Sequence, residues 1–263
     1  MLDFAIRIAR DAGCLLRDRV GTRLNVALKG EIDLVTDVDL ASEHLIREAI
    51  ATHYPRHQVL GEEEGLAETS SDYRWVIDPL DGTSNYAHGF PVFCVSIALE
   101  HRGETILGVV YDPMRDELFT AERGGGASLN RKPIQVSSTR ELSRSMLATG
   151  FPYDIRTSKL TNLDHWSDFA MHAQALRRCG SAALDFCYVA CGRFDGFWEL
   201  SLNPWDMAAG ALIVREAGGR ISNFAGGDFS NYKAEVVASN GEIHDQMLAV
   251  IALASGERDH LTE

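Results

Sequence analysis

The sequence predicts an α/β (α+β) protein in which two αβ halves, residues 1–145 and 146–263, stack into one layered, compact unit. Three observations carry this. Segments with helical apolar spacing come first, then short apolar strands separated by tight turns, then strands alternating with helices. Hydrophobic residues make up 45% of the 263 and charges of both signs are interspersed, enough for a sizeable core. No internal repeat, linker or low-complexity tract interrupts the chain.

Residues 3–20 carry Phe4, Ile6, Ile8, Ala9, Ala12, Leu15 and Leu16 on one broad face, which predicts an amphipathic helix ending near Gly21. Residues 25–28 alternate as a short strand and 29–33 read as a loop. A second helix is predicted over about 38–54, with Leu40, Leu45, Ile46, Ala49 and Ile50 as its core stripe, and Pro55 breaks it. Asp37 and Asp39 lie at its start, where the helix dipole favours carboxylates, and Asp37 reads as a cap. Residues 58–61 form a strand ending in Glu62-Glu63-Glu64, and 66–73 a polar loop. Strands at 92–99, 105–111 and 118–121, punctuated by His101-Arg102-Gly103-Glu104, Asp112-Pro113 and Gly124-Gly125-Gly126, predict an antiparallel meander to about Val136.

The second half opens with a strand at 147–150, a polar loop at 151–161 and a helix at 162–174. A strand at 175–179 leads to Gly180-Ser181-Ala182-Ala183, which starts a helix to about Cys191. Small residues there permit either close approach of a ligand to backbone or tight packing. After a strand at 194–200, Asn203-Pro204-Trp205-Asp206 enters a long apolar helix, 207–217, stopped by Gly218-Gly219. Strands at 220–222 and 234–238 and a helix at 243–253 complete the chain.

The formal net charge of −13 repels polyanions and argues against nucleic-acid binding through a basic face. No apolar run approaches the ~20 residues that span a bilayer, so no membrane association is expected. The first residues, acidic and amphipathic, do not read as a secretory signal. Five cysteines without a C-x-x-C pair argue against a disulfide framework or zinc site and suggest a reducing cytoplasm.

The chemistry concentrates in Trp75-Val76-Ile77-Asp78-Pro79-Leu80-Asp81-Gly82-Thr83-Ser84-Asn85. An apolar strand delivers Asp78 and Asp81 into one space, Pro79 stops it, and Gly82 turns the backbone into a helix start at 83–85. Glu62 also follows a strand, and Asp206 starts a helix after one. In an α/β fold such ends gather on one edge. Two unit charges ~4 Å apart cost about 4 kcal/mol at an effective dielectric of ~20, so protons or cations must intervene. All-oxygen ligands point to Mg²⁺ or Mn²⁺.

Gly61-Glu62-Glu63, the stretch from Trp75 to Asn85, and Pro204-Trp205-Asp206 through Gly219 resemble the inositol monophosphatase family of Mg²⁺-dependent, lithium-sensitive phosphatases. The resemblance implies an αβαβα sandwich of the sugar-phosphatase type and a homodimer. It implies Glu62, Asp78, Asp81, Asp206 and the Leu80 carbonyl as metal ligands. Asp39 and Thr83 match the pair that activates water, with Glu62 in the catalytic set. Gly82 and Thr83 match phosphate-binding positions, and Gly180, Ser181, Ala182 and Glu199 match those that hold the inositol ring, with Asp81 and Asp206 also facing substrate. Glu64, Tyr86 and Pro204 depart from the family's usual residues. The implied reaction is hydrolysis of a small phosphorylated polyol or sugar, foremost inositol 1-phosphate. Fructose 1,6-bisphosphate, histidinol phosphate and adenosine bisphosphates are the superfamily's other substrates, and a regulatory partner-binding role on the same fold is the non-enzymatic alternative.

Overall fold

Apolar residues at helical spacing place the first two helices on one side of the molecule in a computed structural model that describes residues 1–28, 34–67 and 69–259, the last six by backbone alone. Helix α1 (Leu2–Arg19) buries Phe4, Ala5, Ile8, Ala9, Ala12 and Leu16. Strands β1 (Val26–Leu28) and β2 (Leu34–Thr36) pair antiparallel, and the loop expected between them lies outside the described residues. Helix α2 (Asp37–His53) follows. It buries Val38, Ser42, Ile46 and Ile50, together with Asp39 and Glu43. The expected stripe was wrong at Leu40, which is exposed. Polar Ser42 and Glu43 occupy inward positions, so the apolar residues alone misplace the face.

Eight strands form the first sheet, in the order β10-β9-β8-β7-β6-β5-β3-β4. They are β3 (Gln58–Gly61), β4 (Gly65–Ala67), β5 (Tyr73–Asp81), β6 (Cys94–His101), β7 (Glu104–Asp112), β8 (Glu117–Glu122), β9 (Gly126–Leu129) and β10 (Lys132–Pro133). The meander from β5 to β10 is antiparallel throughout, as its turns predict. Two expectations fail here. Gly65–Ala67 is a strand closing a hairpin on β3, because Gly65 takes φ +70 and reverses the chain. Pro79 does not stop β5. The strand runs through it, and the register to β6 shifts between Asp78 and Asp81. A bulge tolerates proline, which has no N–H to pair, and it re-aims the side chains on either side. Helix α3 (Thr83–Ala87) begins directly after Gly82, whose φ is +97.

Five strands form the second sheet, in the order β12-β11-β13-β15-β14: β11 (Met146–Thr149), β12 (Ala175–Arg177), β13 (Gly196–Leu200), β14 (Arg220–Ser222) and β15 (Glu235–Ser239). Helices α4 (Leu163–His172), α5 (Ala182–Ala190), α6 (Pro204–Glu216) and α7 (His244–Asp259) connect and cover them. Strand alternation sorts side chains into three apolar clusters. Trp75, Ile77, Val95 and Val109 pack with α1 and α2. Val76, Ala98 and Val110, from the opposite face, pack with α5, α6 and the inner residues Ala148, Phe197 and Val236. Leu147, Trp198 and Val237 pack with Phe169 of α4 and Met247 of α7. The layers are therefore αβαβα. Helix α6, buried from Met207 to Val214, lies so close to its neighbours that a Cβ on Gly108 would stand 2.8 Å from Ala209 O. Among the described residues no helix is long and apolar enough to cross a membrane, and the five cysteines are free thiols.

Candidate active site

Every candidate residue from the sequence reaches one edge of the molecule, where β3, β5 and β13 end and α3, α5 and α6 begin. Glu62, Asp78, Leu80, Asp81, Gly82, Thr83, Glu199 and Asp206 line a cavity of about 60 Å³. An adjoining cavity of about 60 Å³ is lined by Gly180, Ser181 and Ala182, again with Asp81, Glu199 and Asp206. Phe151, Tyr153 and Leu202 border both. A larger cavity, about 340 Å³ at the far end of α6, holds none of these carboxylates.

Asp39 is held through both oxygens, and Asp78, Asp81 and Asp206 each through one. Asp39 Oδ2 accepts the Thr36 N–H at 2.9 Å and closes a capping box at the start of α2. Its Oδ1 accepts the Thr83 hydroxyl at 2.9 Å, which also lies 3.0 Å from Leu80 O. Capping and function thus coincide in one side chain, whereas Asp37 pairs with Arg19 at 2.9 Å and stays outside the site. Asp78 Oδ1 accepts the Leu80 N–H at 3.0 Å. Asp81 Oδ2 accepts from Ser181 Oγ at 2.6 Å and the Ala183 N–H at 2.8 Å, which ties β5 to the start of α5. Asp206 Oδ2 accepts the Asn203 N–H at 2.7 Å at the start of α6. Among the described residues, no side-chain hydrogen bond engages the second oxygens of Asp78, Asp81 and Asp206.

The electrostatics follow from this crowding. Burial, then the charges of Glu62, Asp81 and Asp206, push the Asp78 carboxyl well above the usual range. Burial also raises Asp81. Burial and Asp81 raise Asp206, with Glu62 and Glu199 adding to it. Asp39 is raised by burial against the pull of its hydrogen bonds. The donor set is all oxygen, which suits a hard divalent cation. Among the described residues, however, no three His, Cys, Asp or Glu side chains are already gathered as a ligand cluster. The carboxylates share a wall rather than a point, so a cation would have to draw them together.

Several positioning residues lie outside the acids and glycines that the sequence singled out. Glu43, fully buried on α2, accepts the Glu63 and Glu64 N–H groups at 2.8 and 3.0 Å and fixes the turn that bears Glu62. Arg47 neutralises it at 2.7 Å and also reaches Glu64 at 3.5 Å, so the unusual Glu64 is drawn to Arg47. Ser42 holds the bulge through Pro79 O at 2.9 Å. Asn85 Nδ2 donates to Val92 O at 2.7 Å and Cys179 O at 2.9 Å, joining the two halves beside Gly82. Gly150 leaves room for Glu199, whose Oε1 lies 1.9 Å from where a Cβ would stand. Asp185 and Arg178 line the second cavity. The spacing from Asp39 to Glu43, one helical turn, is the one hint the sequence offered for any of these.

Residues 1–255 match the model of the inositol monophosphatase family. The Escherichia coli (strain K12) protein named Nus factor SuhB is 46% identical over 252 residues, covering 95% of this chain and 94% of its own. Among solved structures, extragenic suppressor protein suhB from Bartonella henselae superposes with a TM-score of 0.90 at 40% identity, covering 95% of this chain and 97% of that one. Inositol monophosphatase from Anabaena (Nostoc) sp. PCC 7120 gives a TM-score of 0.88 at 42% identity, covering 96% of this chain and 95% of that one.

Proposed function

Because the chain belongs to the inositol monophosphatase family, we propose that it is a metal-dependent phosphate monoester hydrolase whose substrate is a monophosphorylated polyol, foremost inositol 1-phosphate. The observation that carries the reading is the Asp39–Thr83 hydrogen bond beside a cavity walled by carboxylates. Glu62, Asp78, Asp81, Asp206 and the Leu80 carbonyl would hold Mg²⁺ or Mn²⁺. When bound, the cation neutralises these carboxylates, acidifies water and offsets charge on the departing alkoxide.

The chain's own groups do the rest. Thr83 has one proton and two acceptors, Asp39 Oδ1 and Leu80 O, so its lone pairs are left for the O–H of a water in the cavity. As that water attacks phosphorus, its proton passes to Thr83 Oγ1 and the threonine's proton to Asp39. Burial makes Asp39 a stronger base than an exposed aspartate. Gly82 and Thr83 lie against the phosphate, and Gly180, Ser181, Ala182 and Glu199 against the polyol. Phosphate release measured with Mg²⁺ on inositol 1-phosphate, fructose 1,6-bisphosphate, histidinol phosphate and 3′-phosphoadenosine 5′-phosphate tests this. The first is expected to give the highest kcat/KM, with Asp78→Asn inactive yet folded. Normal turnover by Asp78→Asn would remove the carboxylates from the reaction.

A second reading is favoured by the relative named Nus factor SuhB: a partner-binding role on the same fold, independent of turnover. Retention of a stoichiometric protein partner by Asp78→Asn supports it. We also infer a homodimer, which sedimentation of the purified chain tests directly.

A further inference from the structure

Asp185 stands in the first turn of α5, directly after the Ser181-Ala182 segment, and is 1% exposed. It lines the second cavity together with Glu199 and Arg178. Its Oδ1 is buried with no hydrogen-bond partner. Leaving a buried carboxyl oxygen without a donor costs stability, and leucine would fill similar space without that cost. Glu199 also has no hydrogen bond to its carboxyl among the described residues; it rests against the bare backbone of Gly150. The neighbouring hydroxyls have already given their protons away, Ser181 to Asp81 and Thr149 to Trp198 O. Around Asp185 and Glu199 these walls therefore present mainly acceptors. Burial pushes both carboxyls well above the usual range, and Arg178, the one cation at the cavity wall among the described residues, opposes that.

We propose that Asp185 is a specificity-determining residue, whose Oδ1 accepts a hydrogen bond from a hydroxyl of the substrate ring on the side remote from the phosphate. A phosphoryl or carboxylate group has no proton to give there, and an ammonium group would meet Arg178. A neutral hydroxyl both donates to a carboxyl and accepts from a guanidinium, so a polyhydroxylated ring satisfies all three side chains. The substrate class is then a monophosphate with free ring hydroxyls, oriented with its phosphate at Gly82 and Thr83 and its hydroxyls at Asp185 and Glu199. This rests on the phosphatase reading and adds a contact to it.

The test compares wild type, Asp185→Leu and Asp185→Asn, each with Mg²⁺, on inositol 1-phosphate and on cyclohexyl phosphate, the same ring without hydroxyls. Asp185→Leu is expected to lower kcat/KM for inositol 1-phosphate about tenfold to a hundredfold and to leave cyclohexyl phosphate within about twofold. Asp185→Asn keeps an acceptor oxygen and should lose less than about fivefold. Asp185→Asn should melt no lower than wild type, since Oδ1 has no partner to lose, and Asp185→Leu gives up only the bond to the Cys179 thiol. Equal losses on both substrates with a lowered Tm would make Asp185 a structural residue and overturn the proposal. An unchanged substrate ratio, with wild type active on both esters, would overturn it while leaving the phosphatase reading intact. Failure of wild type to release phosphate from either ester would overturn both.

Discussion

In Asp39, Asp78, Asp81 and Asp206 one oxygen is fixed by the fold, and the proposed mechanism leaves the other to the chemistry. That division lets a carboxylate be rigid and reactive at once, since a backbone N–H fixes the first oxygen without using the second. Asp39 shows it most fully: Thr36 holds Oδ2 and Thr83 takes up Oδ1. Thr83→Ala removes the hydroxyl but no cap, so kcat should fall by about a hundredfold or more while Tm moves by no more than a few degrees. Thr83→Ser, which restores the hydroxyl, should recover most of the rate. Recovery of the wild-type rate by Thr83→Ala would break the proton path. At Gly150 the constraint is space. A methyl group there would stand 1.9 Å from Glu199 Oε1, so Gly150→Ala must displace the carboxyl, and steady-state kinetics should show KM for inositol 1-phosphate rising more than kcat falls. Asp78, Asp81, Glu62 and Asp206 were legible because acids at strand and helix ends stand out against apolar runs. Gly150, Asp185 and Glu43 were not, because a glycine after a strand and an acid inside a helix have ordinary explanations until their neighbours across the fold are known.

At the level of elements, the turn after β3 is held by a helix it does not follow. Glu43 of α2, itself fully buried, accepts two of its N–H groups and is neutralised by the partly exposed Arg47. Breaking a buried pair leaves its partner uncompensated and costs about 3–5 kcal/mol. Glu43→Ala should therefore destabilise by about 3 kcal/mol in denaturant unfolding and lower the activity that depends on Glu62. A variant as stable as wild type would show that the turn holds itself. Helix α7 gives a pH-dependent counterpart. His244 at its first position lies 2.8 Å from both Ser222 Oγ and Ser239 Oγ. Ser222 donates to Asn223 O, and Ser239 accepts the Gly241 N–H. Ser222 can then only accept from the ring, which puts a proton on Nε2, and in the neutral imidazole Nδ1 accepts from Ser239. Burial, with Arg220 adding to it, depresses His244 to about 4. The unfolded chain takes up this proton near 6.5, before the folded one does, so stability is complete above that pH and declines between about 6.5 and 4. The loss amounts to about 3 kcal/mol, and His244→Gln should flatten that part of the Tm–pH curve. The helices and the meander were legible because their periods are long and regular. The bulge at Pro79 was not: proline reads as a stop unless the partner strand is known to skip a residue there.

At the scale of the whole molecule, two sheets and three helical layers exist to bring strand ends and helix starts to one edge. Strand alternation dictates the layering, because each sheet is apolar on both faces and must be covered on both. The stack order was not legible from those patterns alone; the resemblance supplied it. The same convergence concentrates negative charge in a chain that already carries −13. Asp78, Asp81 and Asp206 are all raised, which means that the folded state without a cation works against its own carboxylates. A divalent cation that binds only the folded state adds RT ln(1 + [L]/Kd), about 2.7 kcal/mol at a hundredfold excess over Kd. For a chain of this length that corresponds to a rise in Tm of roughly 5–10 °C. Mg²⁺ and Mn²⁺ should each raise Tm in a concentration-dependent way in differential scanning calorimetry, and chelation should reverse it. Asp78→Asn removes one of the repelling charges, so its Tm without cation should lie above that of wild type while its gain from cation shrinks. If wild type melts at the same temperature with and without millimolar Mg²⁺ or Mn²⁺, these carboxylates do not form a cation site, and their repulsion is relieved by protons alone.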